Sequence, residues 1–263
     1  MSIKKYLLVI QLSIQDAIEY KFDFFVHTLK YAVMVLLMTL LWSAVEKANP
    51  TPLLTQNEIV MYFFFSALLY SLSNFHTWYI EQDIKQGTLS KFLIKPVSTT
   101  GYYLSFQSAS VFIETVLKTV VFLPLLYLLG FSFDTFTLQN ILLFLLYLPL
   151  IYVSSFFLLS GISLLTFWII EAYALRWALT ITFRFLSGIL VPLAFFPTFF
   201  QNISFYFPFQ HLAYTPIQLI LGKVSVSYAL QGLLVLFCWL IVFISLHQWI
   251  WKKGISGYES TGI

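Results

Sequence analysis

The sequence predicts an all-α integral membrane protein: six transmembrane helices, an N-terminal amphipathic helix, and an outer re-entrant segment between spans five and six. Of its 263 residues, 60% are hydrophobic and only 10% are charged, against roughly 25% in a soluble domain. A soluble chain needs polar groups over its whole surface, so the composition excludes a soluble enzyme. The apolar residues form continuous runs near the ~20 residues that cross a bilayer as a helix, not the short alternating segments of a barrel.

Six apolar runs are long enough to be spans. The fourth lies in the charge-free stretch between Asp134 and Glu171, where Pro149 predicts a kink. The others are predicted at about 24–45 (most apolar from Tyr31 to Val45), Ile59–Ile80, Tyr102–Leu129, Trp177–Phe195 and Tyr228–Ile250.

Basic residues predict the orientation, because Lys and Arg concentrate on the cytoplasmic side of membrane proteins. Six spans place both termini on one side. If that side is cytoplasmic, only Lys47 and Lys223 lie outside. The basic residues then inside are Lys4, Lys5, Lys21, Lys30, Lys85, Lys91, Lys95, Arg176, Lys252 and Lys253. We therefore expect both termini in the cytoplasm.

Residues 1–23 are predicted to form an amphipathic helix that lies along the inner membrane surface. Its apolar face has helical spacing, and its polar residues fall mainly elsewhere. The alternative is a simple extension of span one. The expected organisation is this helix, one transmembrane domain over 24–250, and a cytoplasmic tail over 251–263. The apolar face comprises Ile3, Tyr6, Leu7, Ile10, Ile14 and Ile18.

The inner loop 81–101 predicts a short amphipathic helix between spans two and three. Gly87 ends span two, Thr88 or Ser90 caps the helix, and Pro96 ends it. Leu89, Phe92 and Leu93 are expected on one side, with Lys91 and Lys95 on the other. Such a helix either lies on lipid with its lysines reaching the headgroups, or docks into a groove on a cytoplasmic partner.

The outer segment Leu190–Lys223 is very apolar and is interrupted by proline, which prevents one continuous helix. This pattern predicts short helices that enter the outer leaflet and return, over about 196–216. The prolines are Pro192, Pro197, Pro208 and Pro216.

Three charges fall inside predicted spans: Glu114 and Lys118 in span three, and Arg184 in span five. Charges at this depth are costly and are usually paired or functional. One interpretation is a local Glu114–Lys118 pair at i, i+4, with Arg184 reaching inward. The other is a Glu114–Arg184 pair that braces spans three and five.

No catalytic, phosphate-binding or metal-ligand spacing is present, and no loop is long enough for a catalytic domain. We therefore expect a chain that is not an enzyme and that binds no cofactor, metal or nucleic acid. A stand-alone secondary transporter or channel predicts internal repeats, and none is convincing. A lipid-modifying enzyme would need more acidic groups than Glu81 and Asp83 at the inner face.

Three stretches, in order along the chain, resemble permease subunits of the type-two ABC exporter superfamily, closest to the bacterial six-span permeases encoded beside a separate ATPase. Arg is scarcer here than in that family's inner loops, which bears on bidentate contacts with a partner. The stretches are GTLSKFLIKPVS in the inner loop; FWIIEA (Phe167–Ala172) followed by LSGILVPLAFFP and FPFQHLAYTPIQLILGK; and the tail WKKGISGYESTGI.

The resemblance implies the transmembrane subunit of an ATP-driven exporter in the bacterial plasma membrane, working by alternating access on an amphipathic or lipid-like substrate. It implies a second permease copy or a paralogue, and separate ABC ATPase subunits that carry ATP and Mg. Residues 1–23 would be the interfacial elbow, and the proline-rich segment the re-entrant hairpin. The coupling-helix contacts would be Gly87, Leu89, Lys91, Phe92, Leu93, Lys95 and Pro96.

Overall fold

The computed structural model describes residues 4–19, 21–49, 53–128, 136–169 and 172–258, and the regular structure within these ranges is helical. Predictions that involve Ile3, the side chain of Ile18, Asp134, Glu171 and residues 259–263 lie outside the described residues. The α-helices are α1 (Lys4–Glu19), α2 (Lys21–Ala48), α3 (Gln56–Ser73), α4 (Trp78–Lys85), α5 (Ser90–Leu93), α6 (Thr99–Leu128), α7 (Leu138–Ser163), α8 (Ala172–Leu186), α9 (Thr198–Ser204), α10 (Phe209–Leu212), α11 (Tyr214–Ile220) and α12 (Val226–Ser256).

Within the described ranges, five helical segments are long and apolar enough to cross a membrane, and they coincide with predicted spans one, two, three, four and six. They are Thr28–Ala48, Gln56–Lys85, Thr99–Pro124, Leu138–Phe167 and Val226–Ser256.

The predicted fifth span, Trp177–Phe195, is only partly helical. Helix α8 has 15 residues, about 22 Å at 1.5 Å per residue, against a hydrocarbon core of about 30 Å. It ends at Leu186 because Gly188 takes a left-handed conformation with φ of 87°, which only glycine adopts without strain.

The second span is also interrupted, where a continuous helix was predicted over Ile59–Ile80. Helix α3 ends at Ser73 and α4 begins at Trp78, so Asn74–Thr77 form a break inside the segment. By contrast, α7 continues through Pro149, and a 3-10 turn over Leu164–Phe167 follows it. The kink predicted at Pro149 stays a prediction.

Helix α3 lies at the centre of the bundle. Ten of its residues are buried, whereas the apolar stretch of α2 is mostly exposed. At its N-terminal end, Thr55 and Glu58 form a capping box, and Lys223 Nζ lies 2.6 Å from Glu58 Oε1. In the middle, the Tyr62 hydroxyl donates a 2.7 Å hydrogen bond to the Gly188 carbonyl. These contacts connect span two to the segment that follows α8.

Helix α1 packs along the start of α6 and runs in the same direction. Lys5 Nζ donates to the Pro96 carbonyl at 3.2 Å, and the Ser13 hydroxyl donates to the Phe106 carbonyl at 2.5 Å. Of the predicted apolar face, Tyr6 and Ile10 are half-buried, but Leu7 and Ile14 are exposed. Helix α6 therefore covers only part of the predicted apolar face, and the position of α1 along the inner membrane surface stays a prediction.

The proline-rich outer segment folds into a 3-10 turn over Leu193–Phe195 followed by α9, α10 and α11. Pro192, Pro197 and Pro208 each stand directly before one of these elements, and Pro216 lies in the first turn of α11. This arrangement agrees with the predicted chain of short helices. Thr215–Ile220 are all buried, so α11 belongs to the core of the bundle.

Helix α12 has 31 residues and continues to Ser256. It therefore passes the predicted end of span six at Ile250 and includes the first residues of the predicted 251–263 tail.

Candidate functional site

The inner loop between α4 and α6 turns back on itself at Gly87. Gly87 has a φ of 73°, and just beyond it the Leu89 N–H donates to the Asp83 carbonyl at 2.9 Å. Helix α5 then covers only Ser90–Leu93, so the predicted helix LSKFLIK is shorter than expected. The break at Gly87 lies one residue after the C-cap of α4, where the sequence placed it.

Asp83 holds this loop against α6. Its carboxylate accepts a hydrogen bond from the Thr88 hydroxyl and a 2.6 Å hydrogen bond from the Tyr103 hydroxyl. Lys91 Nζ lies 3.3 Å from the same carboxylate. One acidic side chain therefore joins α4, the loop and α6.

The exposed face of the loop differs from the predicted one. Leu89 is fully buried and Phe92 is 7% exposed, whereas Leu93 is 43% and Ile94 is 85% exposed. Leu89 and Phe92 therefore do not share an exposed side with Leu93 in this structure, because the chain after the turn at Gly87 buries both of them; the predicted contacts with a partner stay a prediction. We call the exposed set the inner-loop surface: Lys91, Leu93, Ile94, Lys95 and Pro96. Sequence reasoning missed Ile94.

Phe92 anchors the loop. Its ring lies 4.7 Å from that of Tyr102, and the Lys91 and Lys95 amino groups lie 4.9 Å and 5.3 Å from its centroid. Leu89 and Phe92 belong to an apolar cluster that includes Leu164 at the end of α7 and Ile255 at the end of α12. The loop therefore packs in one apolar cluster with the C-terminal ends of α7 and α12.

Glu81 and Arg176 form an ion pair that sequence reasoning did not predict. Arg176 Nε on α8 donates to Glu81 Oε1 on α4 at 2.5 Å, and Ser163 Oγ lies 2.9 Å from the same oxygen. Glu81 is 4% exposed. Because a buried carboxylate requires a partner, an acidic residue at the end of an apolar span was the available signal, but it did not identify Arg176.

The three intramembrane charges fall into two linked groups. Lys118 Nζ lies 2.8 Å from Glu114 Oε1, donates to the Ser71 hydroxyl, and sits 3.0 Å from the centroid of the Tyr31 ring. The structure thus contains the local i, i+4 pair.

Arg184 joins this group through aromatic rings. Its guanidinium lies 4.3 Å from the Tyr70 ring centroid and donates to the Tyr70 hydroxyl. The Tyr70 and Tyr31 centroids are 5.6 Å apart. Helices α6 and α8 are therefore connected through tyrosines of α2 and α3.

Arg176 and Arg184 also line one cleft. A cavity of about 160 Å³ lies between the Asn74–Thr77 break, α7 and α8, with both arginines in its wall. A smaller cavity of about 40 Å³ adjoins it and shares Tyr70, Asn74, Leu159, Thr180 and Arg184. In the described part of the chain, no cluster of His, Cys, Asp and Glu could hold a metal ion.

A family model described as "ABC-2 family transporter protein" matches residues 29–262. The match covers most of the chain and includes all of the five span-length helices except Thr28, so this protein belongs to the ABC-2 transporter family. Members of this family are typically non-catalytic membrane subunits that work with an ABC ATPase. No curated protein matches the chain.

Proposed function

We propose that this chain is the transmembrane subunit of an ATP-driven exporter, moving an amphipathic or lipid-like substrate across the bacterial plasma membrane. The observation that carries the proposal is the inner-loop surface. It presents the 85%-exposed Ile94 side chain next to Lys91 and Lys95, while Asp83 and Phe92 fix the loop to the spans. An exposed apolar side chain beside cations suits a groove with an acidic rim on a partner ATPase.

The contacts of the loop suggest how the partner drives the spans. ATP and Mg bind the partner and supply the free energy, and this chain receives the movement at Ile94. The Asp83–Tyr103 hydrogen bond passes it to α6, and the Glu81–Arg176 pair passes it to α8. The Leu89–Phe92 cluster passes it to the end of α12. Joint movement of these helices would alternate access between the two sides of the membrane.

The proposal also includes a membrane topology for the chain. Residues 1–23 form the interfacial elbow, both termini are cytoplasmic, and α8 together with residues up to Phe195 forms the fifth of six spans. The segment 196–216 re-enters the outer leaflet. A second copy or a paralogous permease completes the pathway.

A stand-alone secondary transporter or channel remains the second candidate. The break at Asn74–Thr77 favours it, because discontinuous helices line the substrate sites of many such transporters.

Affinity purification from native membranes distinguishes the two. We expect an ATPase subunit to co-purify with the wild-type chain and to hydrolyse ATP. Ile94→Asp should abolish co-purification without changing the amount of chain in the membrane, and the conservative control Ile94→Leu should retain it. Transport by the purified chain alone on an ion gradient would reject the proposal.

A further inference from the structure

The cleft between the two arginines has the features of an anion site. Arg176 and Arg184 lie two turns apart on α8, and both line the larger cavity. Its volume of about 160 Å³ greatly exceeds the roughly 10–15 Å³ that holds one water molecule. These are the only two arginines of the chain, so both guanidinium groups available for bidentate recognition face one space.

The hydrogen bonding of Arg184 is incomplete. A guanidinium has five N–H donors, and the described contacts of Arg184 are its bond to the Tyr70 hydroxyl and its stacking on that ring. Its Nε is buried without an acceptor, and the described residues include no carboxylate in a salt bridge with it. Arg184 is only half-buried as a residue, but a buried N–H donor without an acceptor is costly, and an anion in the cleft would supply the missing acceptor.

Arg176 and Ser155 add further donors. Glu81 engages the Nε of Arg176, and the described contacts leave its terminal amino groups without a protein acceptor. Ser155 is 2% exposed, its hydroxyl is buried without a partner, and it lines the smaller cavity. Two independent polar groups, Ser155 Oγ and Arg184 Nε, therefore lack partners at the same place.

The surroundings are electropositive on one side and apolar on the other. With Glu81 included, the two arginines leave one net positive charge. Helix α4 begins at Trp78 in the cavity wall, so the partly positive N-terminal end of this helix lies at the cleft. Trp177 and Ile181 also line the larger cavity and are 48% and 41% exposed, which gives the cleft an apolar outer rim.

We propose that this cleft binds the anionic group of an amphipathic molecule, with that group between Arg176, Arg184 and Ser155 and with its apolar tail over Trp177 and Ile181. The identification of this molecule as the exported substrate rests on the proposed function; binding of the anion does not. The shared chemistry is a phosphate or carboxylate on an apolar tail, carried either by the substrate or by a resident membrane lipid.

Binding is tested on the purified full-length chain in an uncharged maltoside detergent. The probe is dioctanoyl phosphatidic acid, and the signal is the saturable change in tryptophan fluorescence, because Trp78 and Trp177 line the cavity. Dioctanoylglycerol has the tails without the phosphate, and inorganic phosphate has the charge without the tails. We expect both to bind far more weakly than phosphatidic acid.

The variants assign the binding to the cleft. Arg184→Gln should weaken binding roughly 10- to 100-fold, as expected for loss of hydrogen bonds to a charged group. Arg184→Lys should fall between, because it keeps the charge without the planar fork. Lys252→Gln makes the same change in net charge at an exposed position of α12 and should bind like the wild type. If Arg184→Gln does not fold, Ser155→Val tests the same cleft and should weaken binding several-fold.

The outcomes separate the two proposals. Unchanged affinity in Arg184→Gln and Ser155→Val, or equal binding of dioctanoylglycerol, would overturn the anion site even if an ATPase co-purifies. Arg184-dependent binding without a co-purifying ATPase would support the site and reject the exporter. In the complex, a ligand that stimulates ATP hydrolysis through Arg184 is a substrate, and one that binds without stimulation is a resident lipid.

Discussion

Arg176 on α8 donates a hydrogen bond of 2.5 Å to Glu81 on α4. The two residues are 95 positions apart in the sequence, and their ion pair joins the two helices. The side chains are 13% and 6% exposed, so water screens them little. Removal of one partner leaves an uncompensated buried charge, and this typically costs about 3–5 kcal/mol.

We therefore expect Glu81→Gln and Arg176→Gln each to lower the unfolding temperature of the purified chain markedly. The double variant should lose less than the sum of the two single variants, because neither charge is then left alone. Lys223→Gln is the matched control. Its pair with Glu58 is 38% and 22% exposed, and loss of such a surface pair costs about 1 kcal/mol or less. Additive losses at Glu81 and Arg176 would contradict an energetically coupled pair.

Substitution of alanine for glycine should change the free energy of unfolding in opposite directions at two buried positions, Gly188 and Gly161. An alanine Cβ at Gly188 would lie 2.9 Å from the Tyr62 hydroxyl and 3.1 Å from Tyr214 Cβ, at a φ of 87°. We expect Gly188→Ala to destabilise the protein by at least about 1–2 kcal/mol from the left-handed backbone alone. Displacement of Tyr62 from the Gly188 carbonyl should add to this loss.

Gly161 lies in the last turn of α7, which continues directly into the 3-10 turn over Leu164–Phe167, and an alanine side chain has room there. Beyond its own helix backbone and chain neighbours, no heavy atom of the described residues lies within 4 Å of the position that an alanine Cβ would take. Gly161→Ala should therefore stabilise the protein by about 0.5–1 kcal/mol, because alanine has the higher helix propensity. Thermal unfolding of both variants in one detergent makes the comparison. Equal effects at the two positions would show that backbone conformation at Gly188 does not matter.

The outer segment should lose stability in mild acid because of His211. Its Nε2 lies 2.7 Å from the Phe205 carbonyl, which only accepts, so Nε2 carries the proton and Nδ1 accepts from the Thr215 hydroxyl at 2.9 Å. Burial lowers the pKa of His211 from 6.5 to about 4, partly offset by the Phe205 carbonyl. The folded state therefore holds a neutral imidazole, whereas the unfolded chain binds a proton below about pH 6.5.

The contribution of neutral His211 to the free energy of unfolding is thus complete above pH 6.5, and it is lost as the pH falls from 6.5 towards 4. Linkage gives a loss of about 2 kcal/mol between about pH 7.5 and about pH 5. Unfolding temperatures measured across this range should fall for the wild type and fall less steeply for His211→Gln, which keeps a donor for the Phe205 carbonyl. The same slope in both proteins would exclude His211 as the cause.

Hydrophobic runs in the sequence were sufficient to locate five spans, because a helix that crosses the bilayer must be long enough and apolar enough for its hydrocarbon core. They did not locate the breaks at Asn74–Thr77 and after Leu186, since those depend on tertiary contacts such as the Tyr62–Gly188 hydrogen bond. Proline positions predicted the short outer helices, because proline acts locally on the backbone.

In the inner loop too, the local backbone features could be predicted from the sequence, whereas the features that depend on tertiary packing could not. Gly87 and Pro96 marked its limits, but the side that faces solvent depends on where Leu89 packs after the turn at Gly87. The pattern of alternating apolar and basic residues is compatible with either rotation. Likewise, the pairing of Glu81 with Arg176 could be identified only from the structure, which shows α4 beside α8. No sequence spacing relates residues on separate helices.

The buried ammonium group of Lys118 is stabilised either by its ion pair with Glu114 alone or also by its contacts with Ser71 and Tyr31, and a set of variants distinguishes these two cases. Lys118 is 1% exposed and contacts Ser71 and the Tyr31 ring as well as Glu114. The exchanged variant Glu114→Lys/Lys118→Glu keeps the i, i+4 spacing but moves the ammonium group one turn along α6, away from Ser71 and Tyr31. If these two contacts matter, the exchange should lower the free energy of unfolding by at least about 1–3 kcal/mol, because a desolvated cation–π contact contributes about 2 kcal/mol and a hydrogen bond to a charged group about 1.5–3 kcal/mol. The control Glu114→Gln/Lys118→Met removes both charges and should be tolerated better than Lys118→Met alone, which leaves Glu114 buried without its cation. Thermal unfolding of the three variants decides the matter: an exchanged variant as stable as the wild type would mean that the local pair alone stabilises the charge.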